Sequence, residues 1–183
     1  MARLATIDPA DATGRSKDLL DAVRTRLGIV PNMTRGMAAN PVVLDAYVGF
    51  LGTLGGGRLD ARLRELIALA VAEANGCDYC LSAHTAIGGM LKLAPDVLVA
   101  ARTGEVADPR IRGALQFARR VVAMSGHVTD ADLAAVKHAG YDDAEIGEIV
   151  ANVAINVFTN FFNSVAATDI DFPVVTARRK KAA

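Results

Sequence analysis

Apolar residues recur along most of the chain at the three- and four-residue spacing of an amphipathic helix. A first helix is predicted from Ser16, a capping residue, to Gly28, a terminating residue, and its apolar stripe consists of Leu19, Leu20, Val23 and Leu27. No segment alternates apolar and polar residues over the length of a strand with hairpin turns beside it. The pattern therefore predicts an all-α fold.

Capping residues, prolines and glycines mark where the later helices begin and end. Asn40 and Pro41 place a cap and a first-turn proline before one helix, Thr129 begins a capping-box sequence, and Asp142 begins the last helix. Residues 29–33 are predicted to be a connector. The remaining helices are expected over residues 42–54, 61–74, 78–91, 95–102, 109–125, 129–139 and from 142 onward.

The length of the chain indicates how many domains it forms, and its charge indicates which classes of partner are disfavoured. A chain of 183 residues, 52% of them hydrophobic, can bury one sizeable core, and its helix breaks are short, so residues 1–172 are predicted to form a single domain. Residues 173–183 include the basic run Arg178-Arg-Lys-Lys181 and are predicted to be a flexible tail. Basic and acidic residues both number 20, so no broad field favours nucleic acid or an acidic membrane as a partner.

The sequence also predicts a cytoplasmic protein without a membrane span. Residues 1–10 contain charges and a proline where a signal peptide has its apolar run. The longest mostly apolar stretch, from Ile149 to Ala167, is interrupted by polar residues that would be costly in lipid: Asn152, Asn156, Thr159, Asn160, Asn163 and Ser164. This stretch is predicted to be a buried core helix.

The two cysteines, Cys77 and Cys80, stand three residues apart, a spacing that suggests redox or metal chemistry in a cytoplasmic protein. They fall at the start of a predicted helix, where free N–H groups and the positive end of the helix dipole favour a thiolate. His84 follows one turn after Cys80 and shares its helix face. A neighbouring imidazole can accept or return the proton of a reacting thiol.

A carboxylate on the preceding helix could orient His84 or pass protons to it. The turn at Asn75-Gly76 allows that helix to fold back beside the helix of the cysteines. Glu65 and Glu73 both lie on the preceding helix, and spacing alone leaves the choice between them open.

The order of these residues resembles a known family signature. Glu65, eleven residues, Cys77-x-x-Cys80, three residues and His84 is similar to the signature of AhpD-like alkylhydroperoxidases in the carboxymuconolactone decarboxylase superfamily. The resemblance extends from about Pro31 to Asn163 and so covers most of the chain. It is this resemblance that favours Glu65 over Glu73.

The resemblance implies an AhpD-like helical subunit that assembles into trimers or larger rings such as hexamers. It also implies a peroxidase cycle in which Cys80 becomes a sulfenic acid, Cys77 resolves it as a disulfide, and Glu65 and His84 relay protons. The expected partners are a hydroperoxide substrate and a thiol or dithiol reductant, and no bound cofactor is expected.

One residue departs from the family pattern. AhpD carries a second histidine between its cysteines, where this chain has Tyr79. The phenol, with an ordinary pKa of about 10, cannot act as a base near neutral pH. In this respect the chain resembles the uncharacterised peroxidase-related branch of the family. The decarboxylase branch lacks the cysteine pair, so decarboxylation is not implied.

Alternative interpretations of the same residues remain open at this point. The cysteines could be small core residues, or they could join His84 and Glu65 as zinc ligands, and a non-catalytic oligomer could use them to sense redox state or hold a metal. The asparagines of the last helix could line a substrate cavity, lie at a subunit contact or form a polar seam between helices. Its aromatic residues predict a core or an interface and are Phe158, Phe161 and Phe162.

Overall fold

The computed structural model describes residues 2–178, and over these residues the chain contains no strand. The all-α prediction is therefore confirmed. The helices of this part of the chain are α1 (Gly14–Leu27), α2 (Asn32–Met37), α3 (Pro41–Gly55), α4 (Ala61–Asn75), α5 (Asp78–Met90), α6 (Pro95–Ala101), α7 (Pro109–Ala123), α8 (Asp130–His138) and α9 (Asp143–Ala166).

The helix ends follow local capping chemistry. The side chain of Asn40 accepts the N–H of Val42 at the start of α3, and the side chain of Asp60 accepts that of Leu63 at the start of α4. Helices α8 and α9 both begin with a complete capping box. Because these signals are local, the predicted boundaries of most helices agree with the structure within two or three residues.

Helix α2 lies where a connector was predicted over residues 29–33, so that prediction is wrong at its C-terminal end. The six-residue helix has no side-chain cap of its own. Its first N–H groups instead donate to distant side chains, Asn32 N to Asp171 Oδ2 at 2.8 Å and Met33 N to Tyr79 Oη at 3.1 Å. Contacts between residues so far apart along the chain leave no periodic signal in the sequence.

The core is built around α4, which packs against α5, α7 and α9. Residues 66–72 of α4 are all buried. This stretch is apolar on every side and includes alanines that admit neighbouring helices closely, as expected of a helix enclosed by others. Any side chain that α4 contributes to a site therefore has a rigid support.

Helix α9 is the one described helix that is long and apolar enough to cross a membrane by length and composition alone. Half of its most apolar window is buried inside the domain. The buried side includes polar residues, namely Asn152, Asn156, Thr159, Asn160 and Asn163. Helix α9 thus contributes to the core of this fold. The amides of Asn152 and Asn156 donate to carbonyls of α9 itself, whereas Asn160 and Asn163 bond to residues of other helices.

The folded structure continues past residue 172, the predicted end of the domain. Three backbone N–H groups of the following segment donate to side chains of α4 and α5: Val175 to Ser82 Oγ at 2.9 Å, Ala177 to Asp78 Oδ1 at 2.7 Å and Arg178 to Glu73 Oε1 at 2.8 Å. Residues 173–178 are therefore held against the domain. The rest of the predicted basic tail, residues 179–183, lies outside the described residues.

The same substitution, glycine to alanine, tests the helix packing when it is made at two different positions. A Cβ atom on Gly113 would lie 2.4 Å from Cβ of Ala139, whereas a Cβ on Gly49 would meet nothing within 4 Å. We expect Gly113→Ala to lower the free energy of unfolding by about 1 to 3 kcal/mol through overpacking. Gly49→Ala should raise it by up to about 1 kcal/mol, because alanine favours the helix. Urea unfolding of both variants measures the difference, and equal effects would contradict the close approach.

Candidate active site

The turn between α4 and α5 brings together the candidate site residues that the sequence analysis identified on these two helices. Gly76 adopts a left-handed conformation with φ of 68°, which glycine tolerates without a steric penalty. The N–H of Cys77 bonds back to the carbonyl of Ala72 at 3.0 Å, and this closes the turn. Helix α5 consequently runs back along α4, and residues far from the turn on one helix face residues far from it on the other.

Glu65 on α4 and His84 on α5 form a hydrogen-bonded pair. Nδ1 of His84 lies 2.7 Å from Oε2 of Glu65, and about one fifth of each side chain is exposed. Burial by itself would lower the pKa of His84, but the charge and hydrogen bond of Glu65 outweigh burial and raise it. The imidazole is therefore poised to hold a proton close to the cysteines.

Glu73, the other candidate carboxylate on α4, is committed elsewhere. Its Oε2 lies 2.7 Å from the guanidinium of Arg102, and both side chains are almost fully buried. Its second oxygen accepts the N–H of Arg178. Glu73 thus fixes α6 and the C-terminal segment to α4, while Glu65 is the carboxylate that faces His84.

Both cysteines are free thiols located at the start of α5. Cys77 is the capping residue, and its Sγ accepts the N–H of Cys80 at 3.3 Å. Only 8% of Cys77 and 2% of Cys80 are exposed. A negative charge on either sulfur would be costly here unless hydrogen bonds and the helix terminus stabilised it.

The surroundings separate the pKa values of the two thiols. A hydrogen bond from the Cys77 thiol lowers the pKa of Cys80 despite burial, and the side chain of Asn163 adds to this effect. The same hydrogen bond to Cys80, together with burial, raises the pKa of Cys77. Of the two sulfurs, Cys80 is therefore the one that ionises more readily, and Cys77 is the thiol that donates to it.

Asn163 on α9 is a site residue that the sequence signalled only as part of an asparagine stripe. Its Nδ2 donates to Sγ of Cys80 at 3.3 Å and to Sδ of Met33 at 3.2 Å. Its Oδ1 is buried and has no hydrogen-bond partner among the described residues. The asparagine thus contributes a donor to the sulfur and leaves an acceptor available.

Tyr79, which stands where AhpD has a second histidine, has a structural role. Its hydroxyl accepts the N–H of Met33 at 3.1 Å, and its ring packs edge-on against Phe172 with centroids 5.9 Å apart. Burial raises the pKa of Tyr79 further above its ordinary value. The residue fixes the start of α2 and the chain near residue 172, and it is not a base at neutral pH.

A cavity of about 380 Å³ reaches this site. Cys80, His84 and Glu65 line it, whereas Cys77 does not. The asparagine stripe contributes Asn152, Asn156 and Asn163 to its wall. Asn160 instead accepts a hydrogen bond from Asn75 Nδ2 at 2.9 Å. The stripe therefore serves both as cavity lining and as a polar seam between helices.

Comparisons with known proteins agree with this geometry. The profile of the carboxymuconolactone decarboxylase family matches residues 41–120, which include Glu65 and both cysteines. A peroxidase-related protein of Ralstonia eutropha with an alkylhydroperoxidase AhpD core is 26% identical, with a TM-score of 0.83 over 93% of this chain and 92% of its own. Residues 41–120 thus match the carboxymuconolactone decarboxylase family, and the chain has the AhpD-like fold of that superfamily.

Further solved structures share the AhpD-like fold. A peroxidase-related protein from a Silicibacter species is 28% identical, with a TM-score of 0.80 over 92% of this chain and 94% of its own. The debrominase Bmp8, in a cysteine-to-alanine variant bound to 2,3,4-tribromopyrrole, is 22% identical, with a TM-score of 0.80 over 92% of this chain and 91% of its own. A comparison with curated proteins finds no match. Members of the superfamily are thus enzymes of several kinds, and the fold alone does not select one.

The AhpD-like site does not have the form of a metal centre. Within residues 2–178, no three side chains of His, Cys, Asp or Glu lie close enough together to hold a metal ion. The four residues that the zinc alternative would use, Glu65, His84 and the two cysteines, do not form such a group. The arrangement can instead stabilise a thiolate, supply a proton and accept one.

The dependence of the Cys80 pKa on Cys77 gives a direct test. The rate of alkylation of Cys80 should rise with pH through a pKa below that of an ordinary cysteine thiol, which is about 8.5. Cys77→Ala removes the main hydrogen bond to the thiolate, so it should move this profile to higher pH. Cys77→Ser retains a hydroxyl donor and should move it less. Mass spectrometry after timed iodoacetamide labelling measures the three profiles, and identical midpoints would refute the assigned hydrogen bond.

Proposed function

We propose that the protein is a thiol-dependent peroxidase that reduces hydroperoxides through a disulfide between Cys77 and Cys80. The observation that carries this proposal is the inequality of the two sulfurs: Cys80 lines the cavity and has a lowered pKa, whereas Cys77 lies behind it with a raised pKa. A reactive thiolate needs access to substrate, and a resolving thiol needs access only to its partner. Similarity to a superfamily that includes peroxidase-related proteins supports the same assignment.

In the first step, the Cys80 thiolate attacks the terminal oxygen of the hydroperoxide. The O–O bond breaks, the new S–O bond gives a sulfenic acid, and the alkoxide leaves with the bonding electron pair. Protonated His84 supplies the proton that converts the alkoxide into an alcohol. The raised pKa of His84 beside Glu65 makes that proton available near neutral pH.

In the second step, Cys77 condenses with the sulfenic acid. Its thiol proton passes to His84, which the first step left neutral, and its sulfur attacks Sγ of Cys80. The leaving hydroxide takes this proton from His84 and departs as water, so His84 ends the step neutral. The Cys77–Cys80 disulfide now holds the two oxidising equivalents of the hydroperoxide.

In the third step, an external thiol or dithiol returns the protein to its starting state. Two electrons and two protons from the reductant restore the Cys77 thiol, the Cys80 thiolate and the protonated His84, which makes the cycle a disulfide reduction as well as a peroxidase reaction. We propose that the protein works in the cytoplasm, where such reductants are maintained. No bound cofactor takes part in these steps.

Trapping the sulfenic acid tests the roles of the cysteines. In Cys77→Ser, one equivalent of hydroperoxide should leave a sulfenic acid on Cys80 that dimedone labels, because no resolving thiol remains. In Cys80→Ser, no comparably fast labelling should occur. His84→Gln should slow oxidation about a hundredfold, the effect of a lost general acid–base group. Stopped-flow kinetics and mass spectrometry provide these readouts.

The matched control for His84→Gln is His127→Gln, because His127 is exposed in the loop before α8. It should leave the rate unchanged. Faster oxidation of Cys77 than of Cys80 would exchange the two roles. Oxidation no faster than that of a free thiol would refute the peroxidase and leave a redox-sensing pair as the alternative.

We also propose that the protein is a homo-oligomer, a trimer or a hexamer. Helices α3 and α9 pack against each other and carry exposed apolar side chains, namely Val42, Phe50, Phe158, Phe161 and Val165. Phe162, the third aromatic residue of this group, packs against the core instead. Large apolar side chains exposed on adjacent helices are typical of interaction surfaces.

A charge placed on this surface tests the oligomer. Val165 and Val99 are both exposed valines, on α9 and α6 respectively, with 63% and 50% of their surface exposed. We expect the wild-type mass by light scattering to be three or six times that of one chain. Val165→Asp should lower this mass by placing a charge in the interface, whereas Val99→Asp should not. A wild-type mass of one chain at micromolar concentration would exclude the oligomer.

A further inference from the structure

The cavity beside Cys80 has a buried inner end and an exposed outer end. Its inner end contains Cys80 and Asn163, which are 2% and 4% exposed. Its outer end is formed by residues at the end of α1 and just after it, where Leu27 and Ile29 are 37% and 45% exposed. Most of the residues that line the space between are apolar, among them Leu51, Ile87 and Ile155.

These walls fit a substrate with an apolar body. A volume of about 380 Å³ lies within the range of pockets that enclose small organic ligands, and it is more than ten times the space that a water-sized molecule such as hydrogen peroxide fills. Hydrogen peroxide would also gain nothing from the apolar walls. An organic hydroperoxide would bury its carbon skeleton against them and place its peroxide group at Cys80.

The outer end of the cavity carries positive charge. Arg26 lines the cavity from the last turn of α1, and its Nη2 lies 3.4 Å from the position of a Cβ atom built on Gly55. Within residues 2–178, Arg26 has no carboxylate partner and no hydrogen bond. Arg64 also lines the cavity, but its guanidinium donates to the carbonyl of Leu59. The one carboxylate among the lining residues, Glu65, is engaged by His84.

We propose that the substrate is an organic hydroperoxide with an apolar body and a carboxylate, which Arg26 binds at the cavity entrance while the peroxide group reaches Cys80. This inference rests on the proposed peroxidase function and adds a substrate class to it. A planar guanidinium is well suited to a carboxylate, and an unpaired one at a cavity mouth attracts anions. The free acceptor of Asn163 can receive the hydrogen of the peroxide group at the inner end.

A matched set of hydroperoxides tests the substrate class. The probes are hydrogen peroxide, cumene hydroperoxide, its para-carboxylate and the methyl ester of that carboxylate. The wild-type protein should have a higher kcat/KM for the organic hydroperoxides than for hydrogen peroxide. The carboxylate should exceed its ester about three- to tenfold, the range expected of a partly exposed ion pair, and the gain should fall as salt is added.

The variants Arg26→Gln and Arg24→Gln locate the anion site. Both residues are exposed arginines of the last turn of α1, but only Arg26 lines the cavity. In Arg26→Gln the preference for the carboxylate over its ester should disappear, mainly through KM, whereas Arg24→Gln should retain it. A preference for the carboxylate that survives Arg26→Gln, or a wild-type preference for hydrogen peroxide over all three organic probes, would overturn the proposal.

A binding measurement separates this inference from the peroxidase function itself. If no hydroperoxide oxidises Cys80 quickly, the proposed function fails, but the cavity still has a ligand preference. Calorimetry on Cys80→Ser with the reduced probe, the alcohol that carries the para-carboxylate, should then show binding tighter than that of its methyl ester and dependent on Arg26. Equal binding of acid and ester would reject the anion site whatever the outcome of the kinetics.

Discussion

The negative charge on a nearly inaccessible sulfur is the constraint on which this site depends. Cys80 is 2% exposed, and an unpaired charge at such a depth would cost several kcal/mol. Donors that converge on Sγ from two directions offset this cost and lower the pKa of Cys80, namely the Cys77 thiol at the start of α5 and the Asn163 amide on α9. The packing of α4, α5 and α9 is therefore a chemical requirement as well as a means of burying apolar surface.

The two hydrogen-bond donors to the sulfur of Cys80 differ in whether they lie within the segment that matches the family. The family match over residues 41–120 includes Glu65, Cys77, Cys80 and His84, which the turn at Gly76 brings together through local structure. Asn163 lies outside that range and reaches the sulfur only through the packing of α9. The Glu65–His84 pair and the two cysteines thus depend on the α4–α5 hairpin, while the long helix supplies a donor to the sulfur and part of the cavity wall.

Much of the fold is readable from local signals, because caps and helix-ending glycines act within a few residues. The position of Glu65 opposite His84 was not predicted from spacing, which left Glu73 open, but the rise of the two helices accounts for it. At a rise of about 1.5 Å per residue, His84 is roughly 12 Å beyond Gly76, Glu65 is roughly 16 Å before it and Glu73 only about 4 to 5 Å before it. In two helices that fold back on each other, Glu65 is thus closer to the level of His84. The pairs in the structure, Glu65 with His84 and Glu73 with Arg102, agree with this geometry.

Other features of the structure could not be predicted from short-range patterns in the sequence. The start of α2 depends on Asp171 and Tyr79, and the segment up to residue 178 depends on side chains of α4 and α5. Both segments obtain their backbone hydrogen bonds from residues far away in sequence, so neither periodicity nor capping could reveal them. The donation from Asn163 to Cys80 belongs to the same class, because an asparagine stripe predicts buried partners without identifying them.

The tyrosine between the cysteines changes how the site can handle protons. Because the hydroxyl of Tyr79 is occupied by Met33 and its pKa is raised, proton transfer rests on the Glu65–His84 pair. One imidazole can serve the whole proposed cycle only if its tasks follow in a fixed order. It must first give a proton to the leaving alkoxide and then, as a neutral base, accept the proton of Cys77 and pass it to the leaving hydroxide. The raised pKa of His84 favours the protonated form that this order requires at the start, and reduction of the disulfide restores that form.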